Sequence, residues 1–238
     1  MKLFVGTSGY SYKEWKGSFY PERLPAGEML RFYAQRLPAV EINNTFYRLP
    51  KASVIDAWAE QVPVSFRFAL KASQRITHIK RLKDAAEETG YLFRTVATLG
   101  KRLGAILFQL PPSLRKDLPR LERFLDLFPD ETPAAFEFRH RSWLDDDVFD
   151  LLRARGCALC VSDTDEEPET RLVGTVRWGY LRLRRSEYAG ADLAEWAKRL
   201  RSQNWEKAYV FFKHEDEGVG PKLAARFLEV AERGEGLI

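Results

Sequence analysis

Eight short apolar runs recur along the chain, and helical patterns fall between nearly all of them. The runs are Leu3 to Val5, Val40 to Asn43, Ser65 to Lys71, Ala105 to Gln109, Ala135 to Arg139, Ala158 to Asp163, Tyr180 to Arg184 and Tyr209 to Lys213. Each has strand length and is followed by a stretch with helical periodicity, such as MLRFYAQRL, SVIDAWAEQ, RLKDAAEETGYLFRTVATLGKRL, LPRLERFLDLF or DDVFDLLRARG. The exception is the sixth run. TDEEPETRLVGT after it is polar and turn-rich, so the sixth helix is expected to be missing or short. Eight strand–helix units in 238 residues predict one α/β domain over 1–238, a (β/α)8 TIM barrel. A doubly wound open sheet is the alternative, but GTSGYSYKEW after the first strand is no nucleotide-binding fingerprint, because no helix opens there.

Local signals set the expected boundaries. Ser53 with Asp56 reads as a capping pair for the second helix. Gly156 and Gly234 are placed to stop the fifth and last helices. No apolar run approaches the ~20 residues of a membrane helix. The opening MKLFVGTSG is too short in apolar residues for a secretory signal, so a cytoplasmic location is expected. Cys157 and Cys160 form Cys-Ala-Leu-Cys, but on a strand residues three apart lie about 10 Å apart. A disulfide needs Cα atoms within about 7 Å, so both are expected to be buried structural thiols.

Parallel barrel strands usually read as unbroken apolar runs. Several here alternate. Phe136-Glu137-Phe138-Arg139 puts both charges on one face; Arg67 and Lys71 share a face in the third strand, as do Tyr180, Arg182 and Arg184 in the seventh, and Glu41 and Asn43 in the second. The apolar face must meet the helices, so the charged face is predicted to point into the barrel. Catalytic groups of such barrels lie at C-terminal strand ends. The candidates there are Glu41, Asn43, Lys71, Gln109, Glu137, Arg139, Asp163, Arg182, Arg184 and Lys213.

With Arg67 included, these comprise six cations against three carboxylates, a surplus that points to an anionic ligand. Gly218, Gly220 and Pro221 before the last helix fit an anion site at a helix N-terminus and equally an ordinary turn. Three chemistries follow. Glu41 and Glu137 could act as a carboxylate pair or could simply neutralise Arg67, Arg139 and Arg182. Glu41, Glu137, Asp163 and His140 could hold at most one divalent ion, although no metal or other cofactor is expected. Basic residues interleaved with aromatics on the first three loops could hold phosphates and stack bases. For this last reading Tyr10, Trp15, Tyr47 and His78 are the expected ligand contacts, while Phe19, Tyr20 and Phe46 are expected to pack the loops onto the rim. Ser8 and Thr7 have no evident triad partner, which leaves nucleophilic catalysis with little support.

Five blocks taken in order, GTSGYSYKEWKGSFYP, EINNTFYRLP, FRFALKASQRITH, FQLPP and EFRHRSW, resemble the YecE-like family, known as domain of unknown function 72. The resemblance covers nearly the whole chain and implies a TIM barrel; it implies no established catalytic residue. The chain departs from the family pattern at Arg184-Arg185, where His-Gly is usual, and at Lys213-His214, where an Asn pair is usual. Both departures add positive charge. The expected function is recognition, extending to hydrolysis, of a phosphate-bearing ligand, with single-stranded nucleic acid as the leading class. A small-molecule enzyme acting on a sugar or carboxylate with Glu137 as general acid or base is the alternative, and a non-catalytic binding barrel is the third.

Overall fold

The computed structural model describes residues 1–166, 172–213 and 217–233. Its eight strands close into a parallel barrel in sequence order: β1 (Lys2–Ser8), β2 (Ala39–Ile42), β3 (Arg67–Lys71), β4 (Leu103–Gln109), β5 (Ala134–Glu137), β6 (Ala158–Asp163), β7 (Trp178–Leu183) and β8 (Lys207–Phe212). Seven α-helices surround it among the described residues: α1 (Met29–Ala34), α2 (Ala52–Glu60), α3 (Ala86–Val96), α4 (Leu118–Leu125), α5 (Asp146–Ala154), α6 (Gly190–Arg201) and α7 (Val219–Arg233). No helix separates β6 from β7 among the described residues, as the polar stretch there predicts; residues 167–171 lie outside that description. No described helix is long and apolar enough to cross a membrane.

The alternation in sequence is realised as two separate buried layers. Phe4, Ala39, Ala69, Leu107, Ala135, Cys160, Tyr180 and Phe211 fill the inside of the barrel, while their strand neighbours, among them Val40, Leu70, Phe136 and Leu181, pack under the helices. Cys157 falls in the outer layer and Cys160 in the inner one, both as free buried thiols. Burial pushes the Cys157 thiol up to about 12, so neither its environment nor its spacing suits redox chemistry.

Several boundaries differ from expectation for identifiable reasons. The cap of α2 is Lys51, with no side-chain hydrogen bond, and Ser53 lies inside the first turn. The third helical run starts late, because Arg81, Leu82 and Asp84 adopt positive φ in a tight turn ahead of α3. Pro221 is the third residue of α7, not the first, since the helix already begins at Val219. Gly156 does stop α5. At φ 64 it lets its own N–H reach Arg153 O and the next N–H reach Leu152 O, satisfying two terminal carbonyls. Gly234 lies outside the described residues.

One close approach fixes β1 against β2. The Tyr33 hydroxyl is wedged between them, accepting from Thr7 N–H and donating to Ala39 O, each at 2.9 Å. A Cβ on Gly6 would stand 1.8 Å from Ala39 O and 2.9 Å from that hydroxyl. Gly6→Ala is therefore expected to destabilise the barrel by about 3 kcal/mol or more, lowering Tm by roughly 10 °C in thermal denaturation. An unchanged Tm would contradict this packing.

Candidate functional site

Register brings the charged residues to one level inside the C-terminal half of the barrel. Ser8 pairs with Glu41 across β1 and β2, Gln109 with Glu137 across β4 and β5, and Ser162 with Arg182 across β6 and β7. Because all these side chains point inward, the guanidinium of Arg182 lies between the two glutamates. It meets Glu41 Oε1 through Nη2 at 2.9 Å and Nε at 3.2 Å, and Glu137 Oε2 through Nη1 at 2.8 Å. All three are essentially inaccessible to solvent. Charges buried to this degree persist only when their lone pairs and protons are satisfied.

Neutral groups complete the network. Ser8 Oγ donates to Glu41 Oε1 and Tyr180 OH to Glu41 Oε2, each at 2.7 Å. Gln109 Nε2 donates to Glu137 Oε2 at 2.8 Å. Both oxygens of Glu41 are thereby occupied, so of the two roles open to it in the sequence, carboxylate of a pair or charge partner of an arginine, its contacts are those of a partner for Arg182. Ser8 and Tyr180 were missed as site residues, although both lie on inward positions of alternating strands. Burial would raise the Glu137 carboxyl, but Arg182 and Arg139 outweigh it and hold the group below the ordinary carboxylate range.

Above this triad the cations outnumber the acids. Glu137 Oε1 faces Arg139 Nε at 2.6 Å and Arg184 Nη1 at 3.9 Å. Neither the Arg139 contact nor the longer Arg184 one has hydrogen-bond geometry; Arg184 Nε and Nη1, Arg139 Nε and Asn43 Oδ1 are buried without a hydrogen-bond partner among the described residues. Lys71 ends β3 beside them, with Nζ 4.1 Å over the Phe46 ring. His78 stands edge-on to that same ring at 4.9 Å. A cavity of about 1000 Å³ opens here, bordered by His78, Gln109, Glu137 and Arg139 on the polar side and by Phe138 and Leu144 on the apolar side.

Burial and then the charge of Arg182 bring the Lys71 ammonium down to about 8. Burial, with Lys71 and Arg81 nearby, lowers His78 as well.

Other candidates lie elsewhere. Asp163 faces outward, since β6 turns Cys160 and Ser162 inward. Its Oδ2 accepts from Arg185 Nε, Tyr188 OH and Trp196 Nε1 at 2.9, 2.8 and 3.1 Å, which ties β6 to α6 and its preceding loop. Arg67 sits at the N-terminal end of β3, not with the glutamates. It donates to Val64 O and Phe66 O and lies over the Phe4 ring. His140 caps its own turn, with Nδ1 accepting from Ser142 N–H. Asp163 and His140 thus leave the proposed divalent set, and no group of three or more metal-ligating side chains assembles among the described residues.

Trp15 is completely buried and packs against Tyr12, Phe19 and Tyr20, so it is loop core and not a ligand contact. Tyr10 is half-buried against Tyr33. Tyr47 is 73% exposed on the rim, and Lys213 is exposed at the end of β8. Phe19 and Tyr20 pack onto the barrel as expected. His214 lies outside the described residues.

Arg182→Met strips the cation from two buried carboxylates. At pH 7 the loss is expected to be about 3–5 kcal/mol by urea denaturation. It should shrink as pH falls toward about 4, because the stranded glutamates of the variant then protonate. The wild type moves the other way. Its depressed Glu137 contributes stability above the ordinary carboxylate pKa and loses it as pH falls through the folded value. A loss independent of pH would contradict the triad.

Residues 4–237 match the family model described as Protein of unknown function DUF72. UPF0759 protein YunF of Bacillus subtilis (strain 168) is 24% identical over 224 residues, 89% of this chain and 78% of that protein. UPF0759 protein YecE of Escherichia coli (strain K12) is 32% identical over 139 residues, 58% of this chain, and that match spans 48% of the relative's length. Among solved structures, a DUF72 family protein from Thermotoga maritima MSB8 has a TM-score of 0.81 at 28% identity, with 98% of this chain and 100% of that chain covered. Another, from Enterococcus faecalis V583, has a TM-score of 0.80 at 19% identity, covering 97% and 95%, which is a likeness of fold. The five ordered sequence blocks, the closed barrel and these matches agree: the chain belongs to the DUF72 family.

Proposed function

We propose that the barrel mouth binds a small anionic ligand, carrying a phosphate or a carboxylate, between Arg139, Arg184 and Lys71. The observation that carries this reading is the charge arrangement around one oxygen. Arg182 and both glutamates satisfy each other in the triad. What remains is two guanidinium groups sharing Glu137 Oε1 and an ammonium with no hydrogen bond or ion pair among the described residues. An internal neutral layer has no need of those three cations. An anion between them would supply charge-assisted hydrogen bonds to donors that otherwise carry an unpaired cost of about 1–3 kcal/mol each.

Glu137 and Glu166 both line the cavity, but it is Glu137 that meets Arg139 and Arg184, and its depressed pKa favours the ionised form. That supports accepting a hydrogen bond from a ligand hydroxyl over serving as a general acid. The small-ligand form is favoured over single-stranded nucleic acid by two placements. Of the two residues expected to stack bases, Trp15 is buried and only Tyr47 stays exposed, and the basic residues Arg75 and Lys80 on the third loop are both bonded to Glu88 at 2.7 Å.

The test is calorimetric titration with inorganic phosphate and, separately, with a fluorescein-labelled single-stranded oligonucleotide. Phosphate is expected to bind saturably, and Arg184→Gln or Arg139→Gln to weaken it by roughly tenfold or more. Phosphate binding that both variants leave unchanged would overturn the reading. Tight oligonucleotide binding with a salt slope near −0.7 per contacted phosphate would favour the nucleic-acid form instead.

A further inference from the structure

We propose that Lys71 is a reactive amine that forms an imine with the carbonyl carbon of an anionic aldehyde or ketone held in the mouth. This rests on the anion-binding reading above and specifies its substrate class. Lys71 lies at the C-terminal end of a barrel strand, the end where such barrels meet their ligands, and its charge reaches His78, Glu137 and Arg139, which line the cavity. Among the described residues its Nζ has no carboxylate within ion-pair distance, and it rests over the Phe46 ring at 4.1 Å. The two carboxylates nearest in charge terms, Glu41 and Glu137, are already bound to Arg182.

A lysine whose task was only to hold an anion gains from a fixed full charge. This one is placed where burial and neighbouring guanidinium groups favour the neutral amine. Neutral amine is the nucleophilic form, and an anionic substrate would be oriented by Arg139, whose charge reaches Lys71, together with Arg184 beside the same Glu137 oxygen.

The step balances without any further reagent. The Nζ lone pair attacks the carbonyl carbon, and a C–N bond forms as the C=O π bond breaks onto oxygen. A proton moves from nitrogen to that oxygen to give the carbinolamine. Nitrogen then expels the hydroxyl as water with a second proton, leaving C=N. His78 is the titratable group that shares the Phe46 ring with Lys71, and burial favours its neutral, proton-accepting form. The groups whose charge reaches Lys71 are Arg182 on β7, Glu41 on β2, Glu137 and Arg139 on and after β5, and His78 in the loop after β3.

The probe is pyridoxal 5′-phosphate, an aldehyde bearing a phosphate, trapped with cyanoborohydride on the intact protein and mapped by peptide mass spectrometry. Lys71 is expected to label roughly tenfold or more faster than any other lysine at pH 7. Its rate should rise with pH and level off above about 8. Inorganic phosphate should protect it, pyridoxal without phosphate should label it more slowly, and Arg184→Gln should remove the difference between the two aldehydes. Lys71→Arg should abolish the adduct; circular dichroism of Arg184→Gln gives a second, fold-checked readout if Lys71→Arg does not fold. Saturable phosphate binding with Lys71 labelled no faster than surface lysines would overturn the imine proposal and leave the anion site standing. Rapid Lys71 labelling that is indifferent to phosphate would overturn the anionic substrate class. Loss of both would remove the anion reading too.

Discussion

Arg182 is held between Glu41 and Glu137 in the interior of the barrel, and the geometry of the mouth follows from it. The three residues come from β2, β5 and β7, which are far apart in sequence and lie around the circumference of the sheet. Their contacts at 2.8 to 3.2 Å cross the barrel where side chains of most such folds would be apolar. A fully apolar layer of the same volume would often be as stable or more so. The triad instead fixes the orientation of Glu137, whose second oxygen is turned up toward Arg139 and Arg184. The mouth is thus built upward from a rigid ionic floor.

The same floor sets the electrostatics above it. Arg182 helps keep Glu137 ionised and, together with burial, pushes the Lys71 amine down. One buried cation therefore stabilises an anion on one side and discourages a cation on the other. This leaves Glu137 as an acceptor and Arg139 and Arg184 as donors to an anion, with Glu137 and Arg139 lining one cavity and Lys71 close enough to both to feel their charge as an amine poised near neutrality.

The fold was legible because eight apolar runs with helical spacers admit few arrangements, and the inward charges were legible where alternation ran unbroken, as in Tyr180-Leu181-Arg182. The failures have specific causes. Asp163 stands at a strand end like the others, but position along a strand does not give its face. The phase of β6, with Cys160 inside, turns Asp163 out to Trp196. Arg67 has the same phase as Lys71 but lies four residues earlier, about 13 Å lower at 3.3 Å per residue; depth depends on stagger between strands, seen in its pairing with Ala39. For Trp15, composition could not separate a loop aromatic that packs from one that binds, since both look alike until the loop is folded onto Tyr12, Phe19 and Tyr20.

A crystal structure grown in phosphate tests the central claim most directly. The account predicts a tetrahedral anion within hydrogen-bond distance of Arg139, Arg184 and Lys71, above a Glu41–Arg182–Glu137 triad whose contacts keep their present lengths. Phosphate bound only elsewhere on the surface, or an Arg182 guanidinium withdrawn from either glutamate, would contradict it.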